Sequence, residues 1–132
     1  MADAKQDQKR ERLDDLLLHV ARVRLALGVA GLAAPRLAAR LTGLGGGPDA
    51  GRDYLVRIFA SREIAMGAGY LLADRAGRRT LARYGLLVDV LDTAAAVKTR
   101  GGVPARATAV AVAVAGACAA IGAAKTAKDL LD

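Results

Sequence analysis

Four charged residues stand inside apolar stretches of this sequence, and they are the residues best placed to do chemistry. Arg62 and Glu63 interrupt one apolar segment, and Asp89 and Asp92 interrupt the next. An unpaired Arg or Asp at the centre of a bilayer costs about 2.5 to 3.5 kcal/mol on insertion scales. If these two segments cross a membrane, their opposite charges are therefore expected to pair.

The spacing of the four residues predicts how they pair. In an antiparallel hairpin of the two segments, Arg62 and both aspartates lie at similar distances from the turn. Asp89 and Asp92 are three residues apart and share one helix face. Because a guanidinium can bind two carboxylates, we predict a buried cluster in which Arg62 binds both aspartates. Glu63 is rotated by about 100° from its neighbour and is expected to face a different helix.

Two functions are open for this cluster. In the first, the ion pairs fix the register of the helices and have a structural role. In the second, the acids outnumber the nearby arginine, so that Glu63, Asp89 or Asp92 carries a proton or holds a cation, as intramembrane acids do in proton-coupled proteins.

The other residues that could do chemistry are isolated. His19 and Cys118 are the only His and Cys in the chain, so a metal-ligand set is not expected. Ser61 and Thr93 have no base beside them in sequence, and the glycine-rich run 43–47 lacks the Lys and Ser/Thr of a phosphate-binding loop. We therefore predict a protein that is not an enzyme and has no cofactor and no metal.

Hydrophobic periodicity predicts one domain, residues 1–132, built from four helices. A polar lead-in over residues 1–15 precedes helices at about 16–41, 54–73, 80–98 and 105–128. Residues 107–124 carry no charge, which is the clearest membrane-spanning signal in the chain. The predicted fold class is all-α, a small four-helix integral membrane bundle with an amphipathic N-terminal extension. Arg22 and Arg24 are placed near one membrane interface, and either is a candidate partner for the acid of the second helix.

Composition separates two explanations for the positive charge. The net charge is +7 and the pI is about 10.2. Such a charge is typical of a protein that binds nucleic acid, and it also arises when basic residues flank membrane helices. Aromatic residues make up only 3% of the chain and are not interleaved with the basic ones, so base stacking is not indicated. The predicted partner is the lipid bilayer, with no nucleic acid.

Small residues on the predicted helices would allow close helix packing, within the bundle or in a homo-oligomer or a complex with a membrane partner protein. They are Gly67, Gly69, Gly116, Ala120 and Ala124.

One stretch of the chain resembles a known family. Residues 57–67, RIFASREIAMG, followed by Asp89 and Asp92, resemble a family of short membrane proteins of unknown function that is common in actinobacteria. The family pattern is an Arg-x-Phe-Gly-x-Arg-acidic run that enters an apolar helix, with an aspartate in the next helix. Here Ala60 stands where the pattern tends to have glycine. The resemblance covers roughly residues 25–122.

The resemblance implies a characteristic cluster and a bacterial location, and it adds no activity. The cluster residues that it implies are Arg57, Arg62, Glu63 and Asp92. The resemblance thus implies the bacterial cytoplasmic (inner) membrane. Lys and Arg are more numerous on the side of the two termini than on the opposite side, which predicts that both termini lie in the cytoplasm.

The function that these patterns favour is a non-enzymatic small integral membrane protein, structural or accessory to a partner, with a buried Arg/Asp charge cluster. One alternative is a proton- or cation-handling membrane protein that uses the acids of the cluster. The second alternative is a soluble basic helical bundle that binds nucleic acid or an anionic membrane surface.

Overall fold

Helices form nearly all of the chain in this computed structural model, which describes residues 1–131, with residues 2 and 3 described by their backbone only. Five helices occur over these residues. They are α1 (Ala2–Ala33), α2 (Pro35–Thr42), α3 (Ala50–Leu72), α4 (Arg75–Lys98) and α5 (Ala105–Leu131). The all-α prediction is confirmed.

Local chemistry explains where the helices begin and end. The side chain of Asp49 accepts a hydrogen bond from the backbone N–H of Arg52 and caps α3, and Asp74 caps α4 in the same way by accepting from Gly77. Gly43 ends α2 with φ at 88°, a left-handed conformation that glycine adopts without strain. Only Ala73 and Asp74 separate α3 from α4, so these two helices form a tight hairpin.

The first predicted helix, 16–41, is two helices in the structure. The break lies at Ala34, because the ring of Pro35 disfavours helical geometry in the residue before it. Pro35 is then the first residue of α2, where its missing N–H is harmless. The lead-in 1–15 is helical and continuous with α1, which suits its content of Ala, Lys, Gln, Arg and Glu.

The four long helices form a bundle of two closely packed pairs, α1 with α3 and α4 with α5. The pairs meet where α1 contacts α5 and where α3 contacts α4. Gly67 packs near Ala21, whereas Gly28 packs near Ala60, so α1 and α3 run antiparallel. The short helix α2 packs against the start of α3 and against α5 at one end of the bundle.

The interior of the bundle is small and partly polar. The buried apolar residues are mostly alanines, and within residues 1–131 no large side chain is fully buried. By contrast, Asp53, Glu63 and Asp89 are 8%, 5% and 4% exposed. Two helices, over Ala4–Ala33 and Ala105–Leu131, are long and apolar enough to cross a membrane. Three acids thus lie among the most buried residues of a strongly apolar chain.

Candidate functional site: a buried cluster of five charged residues

Arg24 is the centre of the charge cluster. It belongs to a stripe of α1 residues that repeats every three or four positions and faces the interior, and its side chain is only 12% exposed. One terminal nitrogen, Nη1, donates to Glu63 Oε2 at 2.8 Å. The other, Nη2, donates to both carboxylate oxygens of Asp89, at 2.5 and 2.6 Å. A single guanidinium therefore joins α1 to both α3 and α4.

Arg62 and Asp92 form the second ion pair, between α3 and α4. The two terminal nitrogens of Arg62 donate to the two carboxylate oxygens of Asp92 at 3.1 and 2.6 Å, a bidentate geometry. The guanidinium also lies over the ring of Phe59, 4.8 Å from its centre. The Arg62 side chain is 36% exposed, so this pair lies nearer the surface than the contacts of Arg24.

Glu63 connects the two ion pairs. Its Oε2 accepts from Arg24, and its Oε1 lies 3.8 Å from Nε of Arg62, too far for a hydrogen bond. Both Oε1 and this Nε are buried and have no hydrogen-bond partner within the described chain. The cluster thus holds three carboxylates and two guanidinium groups, with one carboxylate oxygen left unpaired.

The structure brings the four residues of the predicted cluster together but changes their pairing. Arg62 binds Asp92 alone, and Asp89 is bound by Arg24 instead. The prediction that one guanidinium binds both aspartates is therefore wrong. The physical reason is that a third helix reaches the same level and supplies a second cation. Arg24 accordingly lies in the bundle interior.

Arg57 lies outside the cluster, although the resemblance implied that it belongs there. It precedes Arg62 by five residues, which turns it by about 140° around α3. Its side chain is exposed, and its Nε donates to the backbone oxygen of Leu32 at 3.4 Å. Its position is at the edge of the bundle near α2.

A spacing signal in the sequence marks Arg24 as an interior residue. Leu17, Ala21, Gly28 and Gly31 are all buried and recur with Arg24 at steps of four and three residues. Residues at such steps share one helix face. The apolar and small members of this stripe predict its burial. Of the two candidate partners that the sequence offers for Glu63, Arg22 and Arg24, the structure selects Arg24, but in the interior rather than at the predicted membrane interface.

Glycines allow α1 and α3 to approach closely. A Cβ at Gly28 would lie 2.7 Å from the backbone oxygen of Ala60, and one at Gly67 would lie 2.6 Å from that of Ala21. The predicted packing role of Gly67 is thus within the bundle. A Cβ at Gly69 would make only an ordinary contact with the Leu81 side chain, at 3.6 Å.

The predicted small-residue row on α5 is outside the packed interior. A Cβ at Gly116 would meet nothing within 4 Å among the described residues, and Ala120 and Ala124 are exposed. Gly122 faces inward instead and packs against Leu86, which lies 3.3 Å from a Cβ placed there. The contact between α4 and α5 therefore uses a different face of α5 from the predicted one.

A separate ion-pair group lies at the end of the bundle near α2. Asp53 accepts from Nε of Arg36 at 3.1 Å and from Arg52 at 3.3 Å. Desolvation favours the neutral carboxyl, but the hydrogen bonds and charges of the two arginines outweigh it. The net result is that the pKa of Asp53 is lowered below its ordinary value of 3.8. Asp53 precedes residue 54, where the predicted spanning segment of α3 begins.

The lowered pKa of Asp53 predicts a pH-dependent contribution to stability. Because the folded state binds this proton less readily, the contribution is fully present above pH 3.8 and is lost as the pH falls toward the lowered pKa. We expect Asp53→Asn to melt below the wild type at pH 7, with the difference shrinking at about pH 3. Thermal unfolding in detergent measures this. Asp15→Asn, at an exposed position, serves as the control, and a difference that stays constant with pH would contradict the pairing.

The pair between Arg62 and Asp92 predicts a coupling energy. In a double-mutant cycle of Arg62→Ala and Asp92→Asn, we expect a coupling of about 0.5 to 1 kcal/mol, because the pair is bidentate but partly solvated. Chemical denaturation in detergent gives the unfolding free energies. The control cycle replaces Arg62→Ala with Arg57→Ala and should be additive. Additivity in both cycles would show that the first pair contributes nothing.

The cluster is not arranged to hold a metal ion. Over residues 1–131, no three His, Cys, Asp or Glu side chains form a group that could bind one.

No family model, curated protein or solved structure matches this chain. The class that the fold and the site define is therefore a helical bundle with an internal charge cluster, and the resemblance to the actinobacterial family stays a prediction.

Proposed function

We propose that this chain is a non-enzymatic integral membrane protein whose charge cluster holds its helices in register. The observation that carries the proposal is the distribution of polar and apolar side chains on α4, where the acids face the interior and the exposed side chains are uncharged. On α4, Asp89 is buried and Asp92 is half-buried. The exposed residues of the same stretch, 84–97, are all uncharged. They are Tyr84, Leu87, Val90, Leu91, Ala94, Ala95 and Val97.

Large apolar side chains are also exposed on other helices. Leu27, Val29, Ile58 and Val114 are 57%, 54%, 48% and 55% exposed, although none lies at a chain end. Large exposed apolar patches are rare on water-soluble monomers, and single exposed apolar residues on every long helix are consistent with a lipid-facing surface. A hydrocarbon environment is compatible with such a surface, and it also makes the internal pairing of every charge necessary.

Helix length is compatible with a bilayer. α3 and α4 contain 23 and 24 residues. At about 1.5 Å per residue, helices of that size span roughly 35 Å, and a bilayer core is about 30 Å thick. Glu63 lies near the middle of α3, so the cluster would lie near mid-depth in the bilayer. Since α3 and α4 are interrupted by charges, their insertion depends on the pairs that they form with α1 and with each other.

Within this proposal, the cluster is a structural link. The two helix pairs have little contact with each other apart from the contacts of α1 with α5 and of α3 with α4. Arg24 and Arg62 both bind α4 from the α1 and α3 pair. The cluster therefore opposes sliding or separation of the two pairs. A scaffold or accessory subunit requires helices that are fixed relative to one another. It does not require a catalytic group.

An alkaline carbonate wash of membranes from cells that express the chain tests the proposal. We expect the protein to stay in the pellet with a known spanning protein, while a known peripheral protein is released. Release of this chain would overturn the proposal and would favour a soluble basic bundle that binds nucleic acid or an anionic surface. The proposal includes an inner-membrane location with both termini in the cytoplasm. Labelling of single cysteines introduced in a Cys118→Ser background tests this orientation.

One observation favours a second candidate function, proton handling. The cluster has one more carboxylate than guanidinium groups, and Oε1 of Glu63 is buried without a hydrogen-bond partner in the described chain. Glu63 thus has one oxygen bound by Arg24 and one without a donor, and a buried oxygen without a donor is a site where a proton can be held. Because the acids do not form a metal-binding group, a proton suits the excess charge better than a metal cation.

Reconstitution into vesicles tests the second candidate. Purified protein in vesicles with a pH-sensitive dye inside would show proton movement above that of empty vesicles, and Glu63→Gln would abolish it. Glu11→Gln, at an exposed position of the N-terminal extension, is the control. Proton movement equal to that of empty vesicles would leave the structural function alone.

A further inference from the structure

The surface of α2 has two distinct exposed sides. Pro35 and Ala39 are buried against the bundle. Leu37 and Leu41, which are 54% and 65% exposed, point away from it. Arg36 and Arg40 are exposed as well and lie about 100° around the helix from the leucines. The helix thus presents adjacent apolar and basic sides. At eight residues, or about 12 Å, it is too short to cross a bilayer.

An open groove of about 780 Å³ lies beside α2, between its first turn and the start of α3. Arg36 lines one part of the groove and Arg57 lines another. Alanines, prolines and Leu37 supply the apolar part of the lining.

The two arginines of the groove keep donors available. Arg36 uses Nε to bind Asp53, and Arg57 uses Nε to bind the backbone oxygen of Leu32. The terminal nitrogens of both side chains have no acceptor among residues 1–131. Each guanidinium thus keeps its two terminal nitrogens as donors, and guanidinium groups bind phosphate through such pairs of N–H donors.

Together with Arg52, which binds Asp53, the arginines at the groove number three against the two acids of its lining, so a positive excess of one charge remains. The carboxylate of Asp53 is bound by Arg36 and Arg52. The Asp49 side chain accepts from the backbone N–H of Arg52 as the cap of α3. Arg57 therefore remains without an acidic partner in the described part of the chain, and Arg40 adds a further positive charge nearby.

We propose that this groove binds the headgroup of an anionic phospholipid, with Arg36 and Arg57 on the phosphate and Leu37 and Leu41 against the acyl chains. The proposal rests on the membrane location proposed above. Charge complementarity and the adjacent leucines select a lipid, because a soluble phosphate compound has no use for an exposed apolar side. In this arrangement α2 is an interfacial helix that fixes the depth of the bundle in the bilayer.

Native mass spectrometry of the full chain, released from nanodiscs made of equal parts phosphatidylglycerol and phosphatidylcholine, tests the proposal. The wild type should retain phosphatidylglycerol preferentially. The variant Arg36→Gln/Arg57→Gln should lose about fivefold of that preference per arginine, roughly 25-fold in all. The control variant Arg75→Gln/Arg79→Gln removes two exposed arginines from the other end of the bundle and should keep the preference.

A second variant separates the apolar contribution. Leu37→Ser/Leu41→Ser changes only exposed side chains, so the fold should persist, and retention of both lipids should fall. Unchanged phosphatidylglycerol preference in the arginine variant, or equal loss in the control, would overturn the proposal. The carbonate wash distinguishes failure of the lipid site from failure of the membrane location. If the chain stays in the pellet but the arginine variant keeps its lipid preference, only the lipid site is contradicted. A chain released by carbonate contradicts the membrane location.

Discussion

Arg24→Met is expected to destabilise the protein by about 3 to 5 kcal/mol, because it leaves two buried carboxylates without their main cation. Glu63 and Asp89 would then be opposed only by Arg62, whose nearest contact with Glu63 is the 3.8 Å approach. A loss of this size is a large fraction of the about 5 to 15 kcal/mol by which a typical domain is stable. The measurement is the fraction of folded protein recovered in detergent and its denaturation midpoint.

Arg22→Met is the matched control for this substitution. Arg22 is exposed and lies two residues earlier on the same helix, so its removal should change stability by no more than about 0.5 kcal/mol. Removing an acid together with the cation should restore part of the loss, as in Arg24→Met/Asp89→Leu, because the buried charge is then reduced. Equal stability of the two methionine variants would show that the cluster does not hold the bundle together.

Gly67→Ala is expected to destabilise the protein by about 1 to 3 kcal/mol, because the added methyl group overlaps the backbone of α1. The alanine Cβ would lie 2.6 Å from the carbonyl oxygen of Ala21 and 2.8 Å from the backbone nitrogen of Leu25. Backbone atoms cannot rotate away as a side chain can, so the two helices must separate. Thermal unfolding in detergent detects the loss.

Gly116→Ala provides the comparison, because the same methyl group there meets nothing within 4 Å over the described residues. Alanine is the better helix former by about 1 kcal/mol, so this variant should be as stable as the wild type or more stable. If both alanine variants were stabilised, the close approach of α1 and α3 would not exist. If both were destabilised, Gly116 would belong to a contact with a second copy.

The charges in the apolar segments were the most informative part of the sequence. Matched depth and a shared helix face group Arg62 with Asp89 and Asp92, and the structure brings all three into one cluster with Glu63. Pairing could not be derived from depth, because it depends on how each helix is rotated about its axis. That rotation is set by contacts such as Gly28 with Ala60, which involve residues far apart in sequence.

The helix boundaries show which local signals were sufficient. The polar run near residues 74–79 marked the α3 and α4 hairpin, and Gly43 ended a helix as glycine often does. Pro35 also indicates a helix boundary, but the apolar pattern continues across it and predicts a single helix over 16–41. The Asp53 ion pairs could not be foreseen, because they require α2 to fold back beside the start of α3.

The position of Arg24 has a consequence for how the chain is made. A ribosome produces α1 before α3 and α4, so the cation exists before any of the carboxylates that it binds. In our membrane proposal, the leucines and valines of α1 drive its insertion into the bilayer, and the charge of Arg24 has no partner until α3 and α4 are inserted. Each acidic helix that follows meets a partner already in place. Membrane insertion of the later helices is then assisted by the first, and a chain that lost this arginine would offer them no such partner.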